Sequence, residues 1–287
     1  MGASESPQRL LSRKGEMKTV SVLIPYRNRL DTFRVLADNV SVVDKANVEF
    51  HVISMGDSDP LVSVLCKRSG LHYHYLPHVE MFQIGLAHNF GATIATGQYI
   101  LKQDVDCLPY DGFYDQVLTF IADELTEPRA WANVGVYYCN EWFSKTYLTG
   151  RITRDIYDLA KDAHKASCNY ASGNCFLANR EDYLQIGGCS ERFRGWGWED
   201  CQVAYCLEKS YNPEFRLSAY ELETIIDVCR DEITRPKNRA TYQRDIVFLH
   251  KWHDPRSDEA RYKEFGEHNR KVLLDVVTDF VSPVISG

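Results

Sequence analysis

Apolar residues in the first hundred positions alternate between two rhythms. Thr19 to Pro25 (TVSVLIP) is a continuous β-branched run of the kind that fills a buried strand. Asp31 to Val43 then spaces Phe33, Leu36, Ala37 and Val40 for one helical face. Val48 to Ser54 predicts a second strand, closed by a Gly-Asp-Ser-Asp-Pro turn. A short helix is expected over Leu61 to Lys67 and a third strand over Leu71 to Leu76. Leu86 to Thr96 reads as a small-residue helix ended by Gly97, and Tyr99 to Gln103 as a strand stopping at Asp104. This alternation predicts an α/β fold with a mostly parallel central sheet and helices on both faces.

The second half is less regular. Helices are expected over Asp111 to Asp123, Arg154 to His164, Glu181 to Ile186, Asp200 to Lys209 and Arg256 to Val276. Short strands are expected over Cys175 to Ala178 and Ile246 to Leu249. No repeat, low-complexity segment or Pro/Ser-rich linker divides the chain, so two abutting subdomains in one body are expected.

In parallel sheets, ligands bind beyond the carboxyl ends of the strands. Two polar clusters fall there. Tyr26-Arg27-Asn28-Arg29 follows the first strand and offers guanidinium forks that match phosphate oxygens. Asp104-Val105-Asp106 follows the fourth, where carboxylates at i and i+2 can ligate a hard divalent cation or hold its water. The first also reads as a pair of surface arginines leading into a helix, and the second as a solvated turn. Further on, His250-Lys251-Trp252-His253 places two imidazoles at i and i+3, which would share a face on a helical turn. Imidazole suits Mn²⁺ or Zn²⁺ better than Mg²⁺. The remaining histidines, His72, His74 and His78 among them, show no partner pattern.

Phe193-Arg194-Gly195-Trp196-Gly197-Trp198-Glu199-Asp200 is the most informative stretch. Indoles can stack on the apolar faces of sugar rings, while carboxylates accept hydroxyl hydrogens and can act as general bases. Alone, it reads equally as a glycine-rich turn with core tryptophans, leading into a helix whose N-terminus favours acidic residues.

Bulk properties narrow the field. The 287 residues suffice for a full core, and 44% hydrophobic with 25% charged residues is ordinary for a globular chain. A net charge of −7, with no basic run, argues against nucleic acid as a partner. No stretch has the apolar length of a transmembrane span. Residues 1–16 are polar, without a signal-type apolar region, and are expected to be a disordered or appended extension. The nine cysteines form no Cys-x-x-Cys pair, so buried free thiols in a reducing compartment are expected. These features point to a cytoplasmic location.

The ordered set Ile-Pro-Tyr-Arg-Asn-Arg, Asp-Val-Asp-Cys-Leu-Pro, Gly-Trp-Gly-Trp-Glu-Asp and His-x-x-His resembles the β-1,4-galactosyltransferases. It is also similar to related bacterial enzymes that build chondroitin-like and other surface polysaccharides. The resemblance runs from about Val20 to His253 and implies a GT-A fold and an inverting, metal-dependent glycosyltransferase. It implies that Pro25, Tyr26, Arg27 and Arg29 bind UDP and that Phe82 packs near the uracil. Ile84 stands where that family has an arginine. Asp106, His253 and His250 would hold Mn²⁺, with Mg²⁺ as the second candidate; His250 replaces a methionine of vertebrate members. Asp104 and Val105 would meet the nucleotide sugar, and Tyr170 and Gly173 the donor sugar. Trp196 would close over the donor, Glu199 orient the acceptor and Asp200 take its proton. The family reads Gly-Gly-Glu-Asp where this chain has Trp198 as the second residue, so acceptor identity does not carry over.

The resemblance thus assigns 17–108 to nucleotide-sugar binding, 109–270 to acceptor binding and catalysis, and 271–287 to a C-terminal tail. The expected partners are a UDP-sugar, with galactose the expected hexose, and an acceptor glycan. UDP-GalNAc, UDP-xylose and UDP-glucuronate are alternative donors, and a non-catalytic carbohydrate-binding relative is the rival from another class.

Overall fold

The structure is a computed structural model. It describes residues 19–77, 79, 81–125, 131–163, 175–195, 197–215, 218, 244–254 and 256–280, with side chains of the last segment from 264 onward.

The first half follows the apolar rhythm closely. Strand β1 (Val20–Tyr26) is buried along its whole length, and helix α1 (Leu30–Ser41) buries Phe33, Leu36, Ala37 and Val40. After β2 (Val48–Met55) comes α2 (Pro60–Ser69). Its ends obey local chemistry: the Asp59 carboxylate accepts from Leu61 N, Pro60 stands in the first turn, and Gly70 closes it at φ 69°. Then come β3 (His72–Leu76), α3 (Ile84–Ile94) and β4 (Tyr99–Lys102). Gly97 lets the chain turn tightly into β4. A Cβ there would lie 2.6 Å from Ser21 N, and the Gly97 N–H donates to Ser21 Oγ at 2.8 Å.

The second half holds β5 (Cys107–Leu108), α4 (Phe113–Glu124), β6 (Trp131–Asn133), β7 (Gly135–Tyr138) and α5 (Glu141–Tyr147). It continues with α6 (Arg154–Ala163), β8 (Phe176–Asn179), α7 (Arg180–Gln185), α8 (Glu199–Tyr211), β9 (Val247–His250) and α9 (Arg256–Asp279).

The main sheet has the order β3-β2-β1-β4-β8-β6. Its first four strands are parallel, while β8 runs antiparallel to both β4 and β6. Strand order reverses between β1 and β4, which places a ligand crevice beyond their carboxyl ends. Two apolar cores lie against the sheet. One packs α1 and α4 with β1 and β2; the other packs α3, α8 and α9 with β4 and β8. The expected α/β architecture, with a mostly parallel sheet covered by helices, is present.

Three differences have physical causes. β5, β6, β7 and α5 are too short to show a period, so the pattern did not predict them. β5, β9 and β7 form a second small sheet, in that order. The two histidines do not share a helical turn: His250 ends β9 and residues 251–254 have no regular structure. All seven described cysteines are free, six of them buried.

Candidate functional site

The carboxyl ends of β1 and β4 are neighbours because these strands pair, Leu23 with Lys102. Arg27, Asn28 and Arg29 leave β1 there. Asn28 adopts φ 52°, which asparagine tolerates, and its N–H donates to the Asp57 carboxylate at 2.9 Å. Arg27 Nη1 donates to Val79 O at 3.1 Å. The charge of Arg29 reaches both Asp106 and His250. Two other residues of that expected set behave differently. Pro25 and Tyr26 are buried within β1, and the Tyr26 ring packs on Phe33 at 5.3 Å. Both side chains are buried at the carboxyl end of β1, and Tyr26 joins the first core. Phe82 is half-buried against the second core.

The second sheet brings the distant histidines to the aspartates. β5 pairs antiparallel with β9, setting Cys107 opposite His250, and Lys251 N donates to Asp106 O at 2.8 Å. His250 Nε2 consequently lies 3.6 Å from Asp106 Oδ1, and His253 Nε2 lies 3.3 Å from Asp106 Oδ2. The donor atoms of these three residues all fall within 4.8 Å of one another. Burial disfavours the Asp106 charge, but His250 and His253 outweigh it and hold the carboxyl below its usual range. Burial lowers the pKa of His250, against the pull of Asp106. An ionised carboxylate beside a neutral imidazole is the protonation state that metal ligation requires. One oxygen donor and two imidazoles fit a first-row divalent cation such as Mn²⁺ better than Mg²⁺. Asp104 lies beside this group and behaves oppositely. Burial and the Asp106 charge push its pKa well up, with Lys102 opposing.

Glu199 and Asp200 open α8. Trp198, the residue before them, has φ 77°, a left-handed backbone that favours glycine. Its indole is half-buried against the second core. The preceding loop is clamped from α9 by Asn269, which is fully buried. Asn269 Oδ1 accepts from Arg194 N at 2.9 Å, while Nδ2 donates to Arg194 O at 2.8 Å and Gly197 O at 3.2 Å. Glu199 is 6% exposed, and its Oε2 has no hydrogen-bond partner among the described residues. Burial, then the neighbouring Asp200 charge, raise its pKa to about 7, with Lys102 opposing. A carboxyl poised there exchanges a proton at neutral pH.

Lys102 is the residue that sequence reasoning missed. It ends β4 and is 1% exposed. Its Nζ lies over the Phe176 ring at 4.6 Å, and its charge acts on Asp104, Glu199 and the buried His88. A buried ammonium favours ionised neighbours, and Lys102 acts in that sense on both carboxyls against the burial that raises them. The available signal was a lysine within an otherwise apolar strand, two residues before Asp104. The structure also joins histidines that showed no pattern. His51 Nδ1 and His74 Nε2 lie 3.1 Å apart, and His51 stacks on His72 at 5.1 Å. His51 also faces Glu49 at 3.0 Å. This network lies inside β2 and β3, away from their carboxyl ends, and ties the sheet together.

Arg27, Arg29, Asp104, Val105, Asp106, His250 and His253 thus gather beyond one edge of the main sheet. Electrostatic coupling links Asp104 to Glu199 and Asp200. Val105 is buried in the first core. Tyr170, Gly173, Trp196, His78 and residues 1–16 lie outside the described residues.

A sheet of this order, with acidic, histidine and arginine groups beyond the strand ends, is an α/β architecture with a ligand site at its switch point. Residues 21–222 match the family described as "Glycosyltransferase like family 2", and the chain belongs to that family. It is therefore a glycosyltransferase. The match is to this broad family; kinship with the β-1,4-galactosyltransferases rests on the motifs alone. No curated protein sequence matches the chain significantly. Among solved structures, it is similar to the mannosyltransferase PcManGT from Pyrobaculum calidifontis, in complex with GDP-Man and Mn²⁺. That likeness has a TM-score of 0.51 and 15% identity, and covers 96% of this chain and 71% of the other. Glucosyl-3-phosphoglycerate synthase from Mycobacterium tuberculosis, in complex with Mn²⁺, UDP and glucosyl-3-phosphoglycerate, is similar at a TM-score of 0.47 and 16% identity. There the coverage is 100% of this chain and 88% of the other. No helix among the described residues is long and apolar enough to cross a membrane.

Proposed function

We propose that this chain is an inverting, metal-dependent glycosyltransferase that moves a hexose from a UDP-sugar to a hydroxyl of an acceptor glycan. The observation that carries the reading is the convergence of Asp106, His250 and His253 beside Arg29, at the sheet edge that also faces Glu199 and Asp200. In this reading Arg27 and Arg29 hold the diphosphate by charge-assisted hydrogen bonds. Asp106, His250 and His253 hold Mn²⁺, which when bound supplies Lewis-acid neutralisation of the departing diphosphate. Asp200 takes the proton of the acceptor hydroxyl as its oxygen bonds to the anomeric carbon. The bond from that carbon to the UDP oxygen breaks in the same step, and attack from the opposite face inverts the configuration. Glu199 orients the acceptor. The resemblance to the galactosyltransferases favours galactose as the hexose.

The test is UDP release from a donor panel of UDP-galactose, UDP-glucose, UDP-GalNAc, UDP-xylose, UDP-glucuronate and GDP-mannose, with Mn²⁺ or EDTA. We expect Mn²⁺-dependent release from one UDP-hexose, abolished in Asp200→Asn. Release that persists in EDTA, or release from no donor, overturns the reading.

A further inference from the structure

Beside the Glu199 loop lies a cleft of about 470 Å³, bounded on one side by residues 191–194 and on the other by α9. Its floor is apolar: Phe193 is 7% exposed and Val272 3%. Its rim is charged. Glu191, Arg192 and Arg194 line it from the loop, and Lys271 and Asp275 from α9, with His268 alongside. Arg192 Nη2 and Asp275 Oδ2 pair at 2.5 Å, and His268 Nε2 lies 3.0 Å from Arg192 O. That pairing leaves the Arg194 guanidinium and the Lys271 ammonium, neither with an ion pair among the described residues, against Glu191 alone. The cleft is thus locally cationic on a chain whose net charge is −7. Gln83, Glu191 and Phe193 border both this cleft and a narrow recess that reaches Glu199. Asn269 fixes the separation of the two walls through its bonds to Arg194.

We propose that this cleft is the acceptor subsite and that it takes an acidic saccharide, one bearing a carboxylate or phosphate group next to the unit that receives the hexose. The volume suits a sugar ring or two. The apolar floor suits the C–H face of a pyranose, and Arg194 and Lys271 come from different elements, so they can grip one anion between them. Both cations are exposed, so a neutral sugar gains little from them, whereas an anion gains a charge-assisted contact to each. An anion on the acceptor compensates them and sets its hydroxyl toward Glu199 and Asp200. This proposal rests on the glycosyltransferase reading and extends it to the acceptor.

The experiment measures binding to the full chain, first of UDP with Mn²⁺, then of three probes by saturation-transfer and titration NMR. The probes are methyl β-glucuronide, glucose 6-phosphate and methyl β-glucoside. We expect at least one anionic probe to bind five-fold or more tighter than the neutral one, with the advantage shrinking as salt rises. Which anion binds distinguishes carboxylate from phosphate. In Arg194→Gln and Lys271→Gln, both changes to cleft-lining side chains with no ion pair to lose among the described residues, the advantage should fall to two-fold or less while UDP binding is unchanged. Equal binding of the three probes, binding of none, or an advantage that survives both substitutions overturns the proposal. A chain that fails to bind UDP at the outset instead overturns the UDP-sugar reading of the site.

Discussion

Replacing Glu199 by glutamine should make the metal-free protein more stable at high pH while removing its proposed role in acceptor binding. Glu199 is almost fully buried and its carboxyl titrates near 7, against an ordinary 4.5. Burial is the largest cause and the Asp200 charge the next. A carboxyl whose folded pKa is raised favours folding below its unfolded pKa, and that advantage is lost as pH rises through the folded value. At about 1.4 kcal/mol for each pKa unit, ionising Glu199 in the folded chain costs about 3 kcal/mol above pH 8. Most of this loss develops between pH 5 and pH 8. The glutamine variant cannot ionise, so its stability should fall less over that window. Urea unfolding in EDTA at both pH values measures the difference directly. We expect the variant to gain about 2–3 kcal/mol on the wild type between pH 5 and pH 8. Parallel pH dependences for the two proteins would refute the claim that Glu199 is a buried carboxyl ionised at a cost.

Three further outcomes follow. Lys102→Met should move the Glu199 midpoint, read by ¹³C NMR of its side-chain carboxyl, above about 7 because the opposing charge is gone; Lys102→Arg should restore it, and an unmoved midpoint in the methionine variant contradicts the coupling. Asp106→Ala should remove the Mn²⁺ enhancement of UDP binding in isothermal titration while leaving the fold intact by circular dichroism; an enhancement that survives removes Asp106 from the metal site. Asn269→Ala deletes three hydrogen bonds to the Arg194 and Gly197 backbone. At about 0.5–1.5 kcal/mol each, it should cost about 2–4 kcal/mol in urea unfolding, and a loss near zero would show that α9 does not clamp the loop.

The first half of the fold was legible because its strands are long and apolar and its helices carry a clear stripe. The Asp31 to Val43 expectation and the observed Leu30–Ser41 helix bury the same face. In the second half the longer helices and the strands at Phe176–Asn179 and Val247–His250 were legible as well, but β5 has two residues and β6 three, too few to show a period. That gap hid the most consequential feature of the site. The motif order placed Asp106 and the two histidines in one expected group, but the reason they meet is the β5–β9 pairing. Spacing suggested a helical turn for His250 and His253, whereas a strand end and an irregular segment bring both rings to Asp106. Tyr26 shows the opposite limit. Its place in the arginine motif says nothing about which way its ring points, and β1 turns it into the core. Lys102 escaped notice because a lysine at a strand end normally reads as solvated, and only tertiary packing makes it buried. Trp198 has the residue type of a stacking platform but the backbone of a glycine.

The central claim is that metal-dependent transfer occurs at the edge shared by Asp106, His250, His253 and Asp200. The most direct measurement follows UDP-hexose labelled with ¹³C at the anomeric carbon by NMR, with Mn²⁺ and then with excess EDTA. The account predicts that the anomeric signal leaves UDP only with Mn²⁺ and first appears in product of inverted configuration. Retained configuration, or equal turnover in EDTA, would contradict it.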